Sequence, residues 1–99
     1  MKKFVILISV YNDWESVFKL IKNIDLQISS WDEEISVLIV NDASTYSKPT
    51  VELNLKNIKS VRILNMKKNK GHARCNATGL KFITEKEDFN YIIVMDGDG

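Results

Sequence analysis

Three stretches, Phe4 to Val10, Ile35 to Val40 and Tyr91 to Met95, are almost wholly apolar and lack the in–out alternation of a half-exposed strand. Such runs predict strands buried on both faces of a sheet. Each passes directly into polar residues: Tyr11-Asn12-Asp13, Asn41-Asp42-Ala43-Ser44-Thr45 and Asp96-Gly97-Asp98-Gly99. Between the first two runs, Val17, Ile21, Ile24 and Ile28 recur at i, i+4, i+7 and i+11. That stripe predicts a helix from about Trp14 to Ser29, N-capped by Asn12 or Asp13, with Glu15 in its first turn. Ser30 to Glu34 is a polar connection to the next strand.

The middle of the chain is less regular. Tyr46-Ser47-Lys48-Pro49 reads as a turn, and Val51, Leu55 and Ile58 predict a short, imperfect helix within Thr50 to Ile58. Val61 to Asn65 reads as a shorter strand, near an edge because it carries a charge. A basic loop from Met66 to Lys70 leads to Gly71. A further helix is expected from His72 to about Glu85, with Ala73, Ala77 and Leu80 spaced to face the sheet and Phe82 and Ile83 nearby. Gly79 inside it costs about 1 kcal/mol against alanine, which points to a packing or ligand reason. Four strands alternating with three helical segments predict an α/β fold, a Rossmann-like, mostly parallel sheet with helices on both faces and right-handed crossovers.

Composition narrows the class without naming an activity. A chain of 99 residues with 44% hydrophobic and 27% charged residues suffices for one soluble globular domain, residues 1–99. The net charge of +1, from 14 basic and 13 acidic residues, gives no argument for nucleic acid or for a membrane surface. Lys67, Lys68 and Lys70 read as a solvated loop. The single cysteine, Cys75, excludes an internal disulfide and suits a reducing, cytoplasmic compartment. The longest apolar run is far shorter than the roughly 18 residues of a membrane helix, and no signal-peptide cleavage site follows it. A chain stopping at the carboxyl tip of a buried strand is expected to be part of a larger protein, whose membrane association is left open.

In α/β sheets the ligand crevice lies outside the carboxyl ends of the strands, where the strand order reverses. Three of the four strands carry polar groups there: Ser9, Tyr11, Asn12 and Asp13; Asn41 and Asp42; Asp96 and Asp98. Asp-Gly-Asp-Gly and Asn41 to Thr45 each read as readily as solvated turns; their fall on one rim favours a site. Two carboxylates one glycine apart repel unless a cation intervenes, and oxygen-only ligands favour Mg²⁺ or Mn²⁺. Asp42 can accept from a base N–H or a ribose hydroxyl, Tyr11 offers a stacking face, and Asp96 with Asp98 can hold the metal on a pyrophosphate. Arg74 reads equally as a phosphate or base-pocket contact and as a surface salt bridge. His72 reads as a packing or capping residue.

Ser9-Val10-Tyr11-Asn12, Val40-Asn41-Asp42-Ala43-Ser44-Thr45, Asn69-Lys70-Gly71-His72-Ala73-Arg74 and Val94-Met95-Asp96-Gly97-Asp98-Gly99 together resemble the successive signatures of family 2 glycosyltransferases with the GT-A fold. The likeness runs along the whole chain, in order. It implies the amino-terminal, donor-binding half of a GT-A nucleotide-diphospho-sugar transferase fold, taking a UDP-sugar or GDP-mannose with Mg²⁺ or Mn²⁺. The implied nucleotide-binding residues are Ser9, Tyr11, Asn12, Asp42, Arg74 and Asp96, and the implied metal ligands are Asp98, chiefly, and Asp96. The acceptor would be a sugar, a lipid phosphate or another hydroxyl. Asn-Lys-Gly-His followed by Met-Asp-Gly-Asp-Gly looks closest to the polyprenyl-phosphate sugar transferases. Two departures stand out. Asn41 replaces a residue usually acidic in the family, and the general base that an inverting transfer requires is expected beyond Gly99, so the 99 residues are expected to be inactive alone. The alternatives are a phosphatase of the haloacid dehalogenase type with Asp96 as nucleophile, whose motif normally opens its domain, and a non-catalytic nucleotide-sugar-binding fragment.

Overall fold

The computed structural model describes residues 1–50 and 52–97. In chain order the elements are β1 (Lys3–Val10), α1 (Trp14–Gln27), β2 (Glu34–Asn41), β3 (Ile58–Asn65), α2 (His72–Lys86) and β4 (Tyr91–Asp96). The sheet order is β3-β2-β1-β4 and every pairing is parallel. The two apolar runs that fill the middle of the sheet, β1 and β2, are buried on both faces, as expected. Ile6, Ile8, Val10, Ile35, Val37 and Ile39 pack with Trp14, Val17, Ile21, Ile24 and Ile28 on the α1 side. Val5, Leu7, Leu38 and Val40 pack with Cys75 and Ile83 on the α2 side. The period of two in the strands and of 3.6 in α1 thus builds two cores about one sheet.

Five expectations are corrected. The last apolar run, β4, is an edge strand rather than a strand buried on both faces. Ile93 and Met95 pack on the α1 side and Ile92 on the α2 side, while Tyr91 and Val94 are 48% and 46% exposed. No helix forms among the described residues between Thr50 and Ile58, where Asn54 takes a left-handed φ of 53°. Instead the Asp25 carboxylate, buried on α1, accepts the Lys56, Asn57 and Ile58 amides at 3.0, 2.7 and 2.7 Å. A single acid side chain replaces the helix as the support of this segment, and no periodicity announces it. β3 also begins three residues earlier than its charge pattern suggests and, as expected, lies at an edge.

The inward face of α2 is Cys75, Gly79 and Ile83 rather than Ala73, Ala77 and Leu80, which are exposed. Gly79 sets this choice. A Cβ there would strike Leu7 Cδ1 and come within 3.0 Å of Val40 Cγ2, so only glycine lets the helix approach β1 and β2 this closely. The reason for a glycine in the helix is packing. α1 stops at Gln27, two residues before the expected end, and its N-cap Asp13 makes no side-chain capping bond.

Gly79→Ala is expected to destabilise the chain by about 1–3 kcal/mol, the overpacking outweighing the gain in helix propensity. Asp25→Ala, which strands three amides, is expected to cost about 2–3 kcal/mol. Urea melts of each variant against the wild type check both values.

Candidate functional site

From β1 the chain runs outward through β2 to β3, then α2 carries it back across the sheet to β4 on the other side of β1. The order therefore reverses between β1 and β4, and the crevice of an open parallel sheet forms at the carboxyl ends flanking such a reversal. The residues there are Ser9 and Asp96, which are register partners on the two strands. Strand alternation puts both on the α2 side. Ser9 is buried, and its Oγ lies 2.5 Å from His72 Nδ1 at the first residue of α2. Asp96 is exposed. Gly97 behind it is packed so closely that a Cβ would come within 2.8 Å of Val17 Cγ2 and 2.9 Å of Ile8 Cγ2, so a side chain at 97 would displace the strand end that presents Asp96. Asp98, expected as the chief metal ligand, lies outside the described residues, as does Gly99.

Asp42 is placed differently from an open nucleoside acceptor. It is only 4% exposed. Its Oδ1 accepts the Lys70 amide at 2.7 Å and its Oδ2 the Gly71 amide at 2.9 Å; the Cys75 thiol donates to it as well. The Asn69 side chain closes the arrangement by donating to the Asp42 carbonyl at 3.3 Å. Burial pushes the Asp42 carboxyl up, but the two amides and the thiol outweigh it and hold it below the usual carboxylate range. Burial and the adjacent carboxylate push the Cys75 thiol up to about 12, so this cysteine is a protonated donor in the wall of the site rather than a nucleophile. Gly71 takes φ 90°, ψ 163°, a conformation suited to glycine, which lets the turn present both amides to one carboxylate.

The loop after β2 closes the other flank. Asn41 Nδ2 donates to Asn65 Oδ1 at 3.0 Å, and its Oδ1 accepts the Ser44 amide at 3.1 Å. Asn41 thus ties the ends of β2 and β3 together. Asn12 is bonded to residues 44–46 of this loop, and Tyr11 beside it is 44% exposed at the rim. Arg74 is exposed in the first turn of α2, as are Lys67, Lys68 and Lys70 in the loop before it.

Of the six expected nucleotide contacts, the structure brings Ser9, Asp42 and Asp96 to the carboxyl ends of three strands, with Tyr11 and Asn12 directly after β1, and places Arg74 on α2 over the same end. Tyr11, Arg74 and Asp96 are exposed, and Ser9 and Asp42 are buried. Cys75, Asn69 and Gly71 emerge only here as parts of the wall. The Gly71 signal lay in the sequence, a glycine immediately before a helix, but nothing in spacing links Asp42 to Cys75. Among the described residues no group of three or more His, Cys, Asp or Glu side chains could hold a metal ion. No described helix is long and apolar enough to cross a membrane.

The family model described as glycosyl transferase family 2 matches residues 5–99. No curated protein matches the chain.

Because the Asp42 carboxyl titrates below its unfolded value, the stability it contributes is fully present above that unfolded value, near 3.9, and is lost as pH falls through the folded one. The urea midpoint is expected to drop on acidification from about pH 5 to pH 2, with a shallower drop in Asp42→Asn. Asp42→Asn is also expected to be less stable at pH 7 by about 1–3 kcal/mol.

Proposed function

The chain belongs to glycosyl transferase family 2, and from that membership we propose that it binds a nucleotide-diphospho-sugar at the β1–β4 rim and presents its sugar for transfer to an acceptor. The observation that carries this reading is the Ser9–Asp96 pairing at the point where the strand order reverses, under the first turn of α2. The exposed ring of Tyr11 suits a nucleobase. Arg74 and the lysines of the 67–70 loop supply positive charge for a diphosphate, with the amino end of α2 adding its dipole. Ser9 and Asp42 act from behind, one through His72 and the other through the Lys70–Gly71 turn.

The described half of the aspartate pair is of the oxygen-donor type that a hard cation takes: Asp96 is an exposed residue at the rim, next to the closely packed Gly97. Asp96 and Asp98 would hold Mg²⁺ or Mn²⁺, which when bound supplies charge neutralisation on the diphosphate. In the transfer itself the acceptor hydroxyl attacks the anomeric carbon, its proton passes to a base, and the sugar–diphosphate C–O bond breaks to release the nucleoside diphosphate. We assign donor binding to this chain and expect the 99 residues alone to be inactive in transfer. The resemblance of Asn69-Lys70-Gly71-His72 together with Met95-Asp96-Gly97-Asp98-Gly99 to the polyprenyl-phosphate sugar transferases is what supports a polyprenyl-phosphate acceptor. The phosphatase reading, with Asp96 as nucleophile, loses ground to the family match over residues 5–99.

A thermal-unfolding titration with UDP and GDP, with and without Mn²⁺, tests the donor site. Binding to the native state raises stability by about 2.7 kcal/mol at a hundredfold excess over Kd. The rise is expected with Mn²⁺ for one of the two nucleotides, to vanish in Asp96→Ala and Asp98→Ala, and to need about tenfold more nucleotide in Arg74→Ala, the loss of one charged hydrogen bond. Absence of a shift with both nucleotides would overturn the assignment.

A further inference from the structure

Asn12 is among the residues expected to touch nucleotide, yet its side chain is spent on the protein. Oδ1 accepts the Thr45 amide at 2.8 Å, the Tyr46 amide at 2.9 Å and the Thr45 hydroxyl at 3.3 Å. Nδ2 donates to Thr45 Oγ1 at 3.0 Å, and the backbone amide donates to Ser44 Oγ at 2.9 Å. The residue sits at φ 65°, in the left-handed region that asparagine tolerates better than most side chains. This conformation turns the chain out of β1 and lets one side chain meet successive residues of a loop that is distant in sequence.

That loop is partly exposed. Thr45 and Tyr46 are exposed, Tyr46 at 69%, and the backbone bends at Ala43 with φ 56°. Among the described residues it is also tied by the Ser44 amide on Asn41 Oδ1 and by the Tyr46 carbonyl, which accepts from Trp14 Nε1 at 3.2 Å. An exposed segment outside the regular elements belongs to the low-stability end of a structure unless hydrogen bonds hold it.

We propose that Asn12 is a positioning residue: it straps the 43–46 loop to the end of β1 and thereby holds its chain neighbour Tyr11 at the rim, without touching nucleotide itself. The proposal rests on the donor reading above, since Tyr11 is the base platform in that reading. A strap of this kind pre-orders a binding surface, so its loss appears in affinity more than in global stability.

Three substitutions in the 99-residue chain separate the contributions. Asn12→Asp keeps the acceptor oxygen and the tolerance for a left-handed backbone, Asn12→Gly keeps only the backbone, and Asn12→Ala keeps neither. Amide hydrogen exchange at Thr45 and Tyr46 reads the strap, and Kd for UDP and GDP with Mn²⁺ reads the site. Both amides are expected to be protected in the wild type and in Asn12→Asp and to exchange freely in Asn12→Gly and Asn12→Ala. Kd is expected to stay within about threefold of wild type in Asn12→Asp and to rise about tenfold in Asn12→Gly, whose melting temperature changes little. An Asn12→Gly chain that binds nucleotide as tightly as wild type while both amides exchange freely overturns the proposal, as does free exchange in the wild type. Protected amides in a wild-type chain that binds neither nucleotide overturn the donor reading instead, and with it the link from strap to site.

Discussion

A carboxylate buried to 4% exposure is costly unless donors meet its charge. At the end of β2, Asp42 is met by two backbone amides and a thiol, all from the turn and first helical residues that begin the return crossover. That contact fixes where α2 starts. Gly79 then lets the helix settle against Leu7 and Val40, and with both ends of this relation set, His72 reaches Ser9 and the chain is aimed at the far side of β1. The position of β4, and of Asp96 at its tip, depends on this one anchored turn.

The rim therefore has two kinds of polar residue. Asp42, Asn41, Asn12 and Ser9 hold loops and the helix start in place, and their hydrogen-bonding groups are largely used within the protein. Tyr11, Arg74 and Asp96 are exposed. A sequence motif by itself does not distinguish the two. The separation is a matter of exposure.

Legibility in the sequence follows the physics of each element. β1, β2 and the inward stripe of α1 are plain because unbroken apolar runs and a 3.6 period seldom arise in any other way. The polar rim is legible for the same reason: it lies where those runs stop. β4 reads as central because its five apolar residues look like those of β1; only the strand order reveals that it has one neighbour. The α2 face is misleading because alanines at helical spacing resemble a packing stripe, whereas the close approach is made by Gly79. The segment before β3 reads as helical, with nothing to disclose that Asp25 gathers its amides. Long-range polar contacts of this kind leave no periodic trace.

The pairing of β1 with β4 joins a strand near the start of the sequence to one near its end. Loop-closure entropy must be met before such a contact brings any return, so β4 is the strand whose docking lies latest on a folding route led by the β1–α1–β2 unit. Ser9 and Asp96 become neighbours only in that step. Until β4 docks, the β1 edge that it covers is open.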